Sequence, residues 1–234
     1  MLFPAVLRPG AAMITAFLAR SHLRPPPPVT PAPPSGLVVA HRAGLGHAPE
    51  NSLDAIRAAA DHGADAVELD VRLAEGSLIC AHDPGQAGPR ALDAVELALR
   101  LGLRVELDLK SHGLDGAIGH VAGLVGAIGA YELTWVSTFH PVTVWRLRHA
   151  EPRLVVGWSV ARSMVARLPL WQRWCDWLGV QVIEPEFPLI TPHRLDRWRA
   201  RPIAVEAWGL APHEARDCLA RGVSVVVDRL TDVR

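Results

Sequence analysis

Cysteine is scarce in this 234-residue chain: Cys80, Cys175 and Cys218 stand far apart, and no CxxC pair occurs. Such thiols build neither a disulfide framework nor a zinc site, and they read as reduced core residues. The formal net charge is zero, and no basic run is interleaved with aromatics. That removes the electrostatic footprint a nucleic-acid partner needs. Long apolar runs are missing as well. The run from Ala11 to Ala19 is too short to span a bilayer, and although Arg8 precedes it, no small-x-small cleavage pattern follows. The expected location is cytoplasmic.

Acidic residues are absent from the first 35 positions, which instead hold Pro25–Pro28 and further prolines at 31, 33 and 34. This composition reads as a disordered tail with a polyproline linker over residues 1–35. Residues 36–234 are then left for one domain. Half of all residues are apolar, enough for a sizeable core.

What is present is organised around His41–Asp83. The apolar run Val38–Ala40 ends in His41 and Arg42, as at the mouth of a buried strand. Pro49-Glu50-Asn51-Ser52 is a turn whose Asn or Ser can cap a helix over Leu53–His62. A strand over Ala66–Val71 carries Glu68 and Asp70 two residues apart, so both carboxylates face one side. The turn around Gly76 is too short for a parallel return, so Leu78–Ala81 comes back antiparallel. A hairpin symmetric about Gly76 sets His82 opposite Asp70. Further on, strand Arg104–Leu109 aligns Glu106, Asp108 and Lys110 on one side. Strands are also read at Thr134–Phe139, Leu154–Trp158, Val180–Glu184, Ile203–Ala207 and Val223–Val227, with helical segments between them.

Without the antiparallel strand this makes eight strands, mostly alternating with helices. The expected fold is α/β, a (β/α)8 TIM barrel with an added antiparallel hairpin near its mouth. An open doubly wound sheet fits less well, because no Gly-rich phosphate loop follows the first strand and the chemistry spreads over several strand ends.

Three carboxylates from two strand ends, Glu68, Asp70 and Asp108, suit a hard divalent cation, Mg²⁺ or Ca²⁺, better than zinc. Glu106 lies one inward step earlier, behind them or in their place if the register slips. His41 and His82 are suited to proton transfer, since imidazole titrates near neutral pH. The bland alternatives are solvated rim acids and structural histidines. Of the remaining histidines only His47 and His140 lie near the expected mouth, and they stay undecided.

In order and spacing, HR–G, PEN, ELDV, a small turn and HD resemble the glycerophosphodiester phosphodiesterase family, and Asp108-Leu109-Lys110 is similar to its acidic-x-Lys motif. The resemblance implies a metal-dependent phosphodiesterase, with Glu68, Asp70 and Asp108 as metal ligands and His41 and His82 as the acid/base pair. It further implies that Arg42 and Lys110 contact phosphate and that Glu50 supports them from behind. The implied substrate is a small phosphodiester or a lysophospholipid. Asp108 stands where the family usually has Glu, which is more like the sphingomyelinase D branch, so a phospholipase D-type activity is the runner-up. A degenerate phosphoester-binding member is the non-enzymatic alternative. The family's usual insertion after HD is missing, and its WTVN strand has become Ala204-Val205-Glu206-Ala207-Trp208-Gly209, which leaves the alcohol unassigned. Trp171, Trp174 and Trp177, three apart on one helix, are read first as core packing. The sharper hypothesis for them is an interfacial ridge that touches a membrane peripherally.

Overall fold

A computed structural model describes residues 24–44, 46–110, 116–165 and 171–233. Eight parallel strands close into a barrel, in the order β1 (Val38–Ala40), β2 (Ala66–Ala74), β4 (Arg104–Leu109), β5 (Thr134–Ser137), β6 (Val155–Val160), β7 (Val182–Pro185), β8 (Ala204–Ala207) and β9 (Ser224–Val227). Pairing of β1 with both β9 and β2 makes the closure. Each strand after the first follows a helical connection, as the alternation of strand and helix patterns requires.

The described helices are α1 (Leu53–Asp61), α2 (Ala91–Arg100), α3 (Ala117–Ile128), α4 (Pro141–Ala150), α5 (Arg162–Val165), α6 (Trp171–Leu178), α7 (Pro192–Arg199) and α8 (Pro212–Ala220). Proline opens α4, α7 and α8, where its missing N–H would have had no partner in the helix. None of the described helices is long and apolar enough to cross a membrane.

Alternation along each strand divides the side chains. In β2, Val67, Leu69 and Val71 face the helices and are fully buried. The alternate residues, Ala66, Glu68 and Asp70, face the barrel interior. Its floor is apolar, made by Val39, Ala66, Trp135, Val155, Val182 and Ala204. The β2–β4 register then sets Glu68 beside Glu106 and Asp70 beside Asp108, two acidic layers above that floor.

β3 (Ser77–Cys80) lies antiparallel to the end of β2, with Val71 opposite Cys80 and Ala74 opposite Ser77. The turn takes two residues, Glu75 (φ 48°) and Gly76 (φ 78°), both with the positive φ that a tight hairpin favours. Its axis therefore passes between them and not through Gly76. Ala81 is the residue opposite Asp70, its N–H donating to the Asp70 carbonyl at 2.9 Å. His82 falls one step beyond the place expected for it.

The proline-rich segment also differs from expectation. Residues 1–23 of the expected tail lie outside the described residues, but 24–36 pack along the bottom of the barrel. Thr30 is buried, its hydroxyl donating to the Arg153 carbonyl at 2.5 Å. Gln181 donates to the Thr30 carbonyl, and the buried Arg148 donates to that of Pro26, both at 2.6 Å. A proline run without regular structure can still be held when buried donors need its carbonyls.

On α6, Trp171 and Trp174 are buried and Trp177 is half-buried against the core. The wide apolar face of this helix packs inwards, in keeping with the core-packing reading of Trp171 and Trp174.

Candidate active site

β1 ends in a sharp bend. Arg42 (φ 50°) and Ala43 (φ 61°) adopt left-handed backbone conformations, as does Asn51 (φ 57°) in the following loop. Such conformations cost about 1–3 kcal/mol each and gather at functional sites. Here they turn the Arg42 N–H onto Glu68 Oε2 at 2.7 Å, while the Asn51 N–H ties back to the Arg42 carbonyl at 2.9 Å.

Asn51 is not the helix cap. Ser52 is, its hydroxyl accepting from the Ala55 N–H at 3.1 Å. The buried Asn51 amide instead clamps Asp70: Nδ2 donates to Asp70 Oδ2 at 2.8 Å, and Oδ1 accepts from the Asp70 N–H at 2.9 Å.

The ligand oxygens of Glu68, Asp70 and Asp108 lie within 4.8 Å of one another. All three residues are buried, and Asp70 completely. Lys110 Nζ stands 2.6 Å from Asp70 Oδ1 and also bonds Asp108. Arg42 Nε is 3.4 Å from Asp70 Oδ2, and its Nη1 donates to Glu50 Oε2 at 2.7 Å. Glu50 thus holds Arg42 from behind.

Burial works to raise Asp70, but Lys110, Asn51 and Arg42 outweigh it and hold the carboxyl below its ordinary value. Glu68 lies well above its own, first through burial and then through the neighbouring Asp70 charge. Asp108 is raised by burial, which Lys110 only partly offsets. Burial also works against the Lys110 charge, yet Asp108, Asp70 and Glu68 together raise it above the usual lysine value. Two cations therefore face three acids at the strand ends. Asp108 Oδ1 is buried and hydrogen-bonded to nothing. An oxygen-lined, anionic cradle with an orphaned oxygen fits a hard divalent cation.

Glu106 belongs elsewhere. The register does not slip, and its carboxylate groups with Glu184 and Glu206, again within 4.8 Å, in the layer below. Ser137 donates to Glu106 Oε1 and Ser159 to Glu184 Oε2, each at 2.6 Å. Burial and mutual repulsion push Glu184 and Glu206 well above the ordinary carboxylate range, and burial raises Glu106 too.

His41 lies near enough to Asp108 to act on its charge. Its Nδ1 is 2.6 Å from Asp228 Oδ1, and that bond is the first cause holding Asp228 below its usual value. His82 stands just past β3 with Nδ1 3.0 Å from Asp83 Oδ1, and its carbonyl accepts from Arg72 Nε at 2.8 Å. A groove of about 610 Å³ adjoins this loop, between Arg72–Ile79 of the hairpin and Asp83–Gly88. His47 stacks on His62 with ring centroids 4.1 Å apart and accepts from the Leu230 N–H, a structural role. His140 precedes α4 at its N-cap.

Sequence reasoning did not find Asp228, Glu184, Glu206 or the part played by Asn51. Asp228 carried a readable signal, an acid directly after the apolar run Val225–Val227, the counterpart of His41 after Val38–Ala40.

Residues 41–96 match the model of the glycerophosphoryl diester phosphodiesterase family. Over that segment the chain is similar to the glycerophosphodiester phosphodiesterases. Bovine glycerophosphodiester phosphodiesterase 1 is 24% identical, over 73% of this chain and 70% of that protein. Two solved structures share the family fold. A glycerophosphodiester phosphodiesterase from Agrobacterium tumefaciens is 21% identical with a TM-score of 0.69, over 84% of this chain and 97% of that one. An Oleispira antarctica phosphodiesterase, solved in complex with the product sn-glycerol-3-phosphate, is 20% identical with a TM-score of 0.72, over 84% and 94%. The relatives named here are phosphodiesterases, and the cradle of acids at the barrel mouth of this chain stands where TIM barrels carry their chemistry.

Proposed function

We propose that this protein hydrolyses glycerophosphodiesters to an alcohol and glycerol phosphate, using a divalent cation, Mg²⁺ or Ca²⁺, held by Glu68, Asp70 and Asp108. The observation that carries the reading is the convergence of these three buried carboxylates with Lys110 and Arg42 at adjacent strand ends. A cation bound there supplies positive charge to the phosphoryl oxygens. Arg42 and Lys110 add fixed charge against what builds on the phosphoryl group during transfer.

Two proton transfers remain for the histidines. One takes a proton from the attacking hydroxyl as its oxygen bonds phosphorus, and the other protonates the departing alcohol as the old P–O bond breaks. Asp228, held below its usual value, pairs with His41 Nδ1 and so favours the tautomer in which Nε2 can take a proton. Asp83 Oδ1 lies 3.0 Å from His82 Nδ1 and orients that ring. In the family resemblance the attacking group is the glycerol hydroxyl next to phosphate, which closes a cyclic phosphate that water then opens.

Asp108 and the groove beside the His82 loop favour a second reading, a phospholipase D-type cleavage of lysophospholipids. One panel separates the two: glycerophosphocholine, glycerophosphoethanolamine, a lysophospholipid and bis(p-nitrophenyl) phosphate, each with Mg²⁺, Ca²⁺ or EDTA. Turnover should need metal, favour the glycerophosphodiesters, and disappear in His41→Ala and Glu68→Ala. Lysophospholipid turnover alone moves the assignment to the second reading. No metal-dependent turnover from the folded protein overturns both.

A further inference from the structure

The mouth of the barrel has two unlike halves. The charged groups of the site come from β1, β2, β4 and β9, which are neighbours around the barrel. In the opposite half, β5 and β8 are followed by aromatic residues, and β6 and β7 by the Arg162–Glu186 ion pair. Phe139 lies just past β5 and Trp208 directly after β8, with β6 and β7 between them. Their rings nevertheless meet edge to face, with centroids 5.7 Å apart and planes at 81°. Side chains rooted on strands so far apart touch only by leaning inwards across the mouth.

The pair is also fixed in place. Trp208 Nε1 donates to the Glu184 carbonyl at 2.9 Å, and Trp158 Nε1 to that of Phe139 at 3.4 Å. Glu186 is bridged to Trp208 through the backbone, and its carboxylate accepts from the Arg162 N–H at 2.7 Å and Nε at 2.9 Å. Both rings are half-buried. Neither belongs to the apolar clusters that the described residues form around the barrel and on its floor. Packing of the core therefore does not explain why two large aromatics meet at this end of the barrel.

We propose that the Phe139–Trp208 corner binds a trimethylammonium group on the substrate's alcohol, making the enzyme selective for choline-type esters. The proposal rests on the phosphodiesterase reading given above. Perpendicular rings offer two electron-rich walls to one cation, and quaternary ammonium, which holds its water weakly, is the cation such walls take best. A substrate whose phosphate lies in the charged half has its alcohol directed toward this corner.

The test compares glycerophosphocholine with the neutral 3,3-dimethylbutyl ester of glycerol phosphate, which has the same shape without the charge. Wild type should favour the choline ester by about tenfold in kcat/KM, chiefly through KM. The ratio should fall to about one or two in Trp208→Leu and in Phe139→Leu, and Trp208→Phe should keep much of it. Calorimetric binding of both esters to the His41→Ala protein repeats the comparison without turnover. Absence of hydrolysis would therefore sink the enzymatic reading while the corner is still measured. Equal binding of the two esters, or a ratio that both Leu variants leave unchanged, overturns the proposal. If Trp208→Leu fails to fold, Phe139→Leu decides.

Discussion

Two clusters of three carboxylates lie one above the other in the same barrel, and they differ in what faces them. The upper cluster, Glu68, Asp70 and Asp108, meets Lys110 and Arg42. Among the described residues, the lower one, Glu106, Glu184 and Glu206, meets Ser137, Ser159 and its own members, with no cation in hydrogen-bond or ion-pair contact. At similar burial the difference falls on one acid: Asp70 is held down by its cations, while burial raises Glu68 and Asp108 as it raises all three acids below. Where cations stand close, as at Asp70, the carboxyl is held ionised. Where only hydroxyls and other acids stand close, as at Glu184 and Glu206, burial and repulsion favour the protonated form. The upper layer, with two cations among its acids, is suited to bind a metal ion, whereas the surroundings of the lower one favour protonated carboxyls.

The largest effect should come from breaking the upper cluster. Asp70→Asn removes the partner of Lys110, Arg42 and Asn51 together, and activity should fall by at least about a thousandfold, measured as kcat/KM on the best substrate of the panel. Retention of a tenth of the activity would mean that Asp70 is not a ligand.

Removing the cation side comes next. Lys110→Met leaves Asp70 and Asp108 buried with less compensation, and about 3–5 kcal/mol of stability should be lost, read from urea unfolding. A loss under about 1 kcal/mol would mean that the acids are not held ionised by this lysine.

The smallest effect should come from below. Glu184→Gln replaces a neutral carboxyl with a neutral amide and should change stability at pH 7 by no more than about 1 kcal/mol. Its signature is the pH dependence. A carboxyl raised in the folded state binds its proton more tightly there than in the unfolded chain. Its contribution is therefore full below the unfolded value, near about 4.5, and is lost as pH rises toward the folded one. Glu184→Gln should flatten that decline when Tm is followed from pH 5 to 8. An unchanged slope would place the ionised form in the folded protein.

The upper cluster was legible in the sequence because Glu68 and Asp70 share one motif, whose two-residue spacing sets both on one strand face, and Asp108 stands with Lys110 in a second. The lower cluster was not. Glu184 and Glu206 each stand alone in an apolar strand, and they meet Glu106 only because the sheet closes into a barrel. Closure likewise brings Asp228 to His41 across 187 positions. The eight-strand pattern followed from periodicity, but the hairpin axis was misplaced because Glu75, a poor candidate for positive φ, shares the turn with Gly76. The proline segment read as a free linker because composition says nothing of the buried Arg148 and Gln181 that hold its carbonyls. Asn51 offered a familiar cap signal, and Ser52 next to it took that role.

Cation stoichiometry tests the central claim most directly. Titration calorimetry with Mg²⁺ and Ca²⁺, run on wild type, Asp70→Asn and Glu184→Gln, should show one cation per chain. That binding should be abolished by Asp70→Asn and kept by Glu184→Gln. A second cation in the wild type that Glu184→Gln removes, or binding that survives Asp70→Asn, would contradict the division between a cation-binding layer and a proton-holding one.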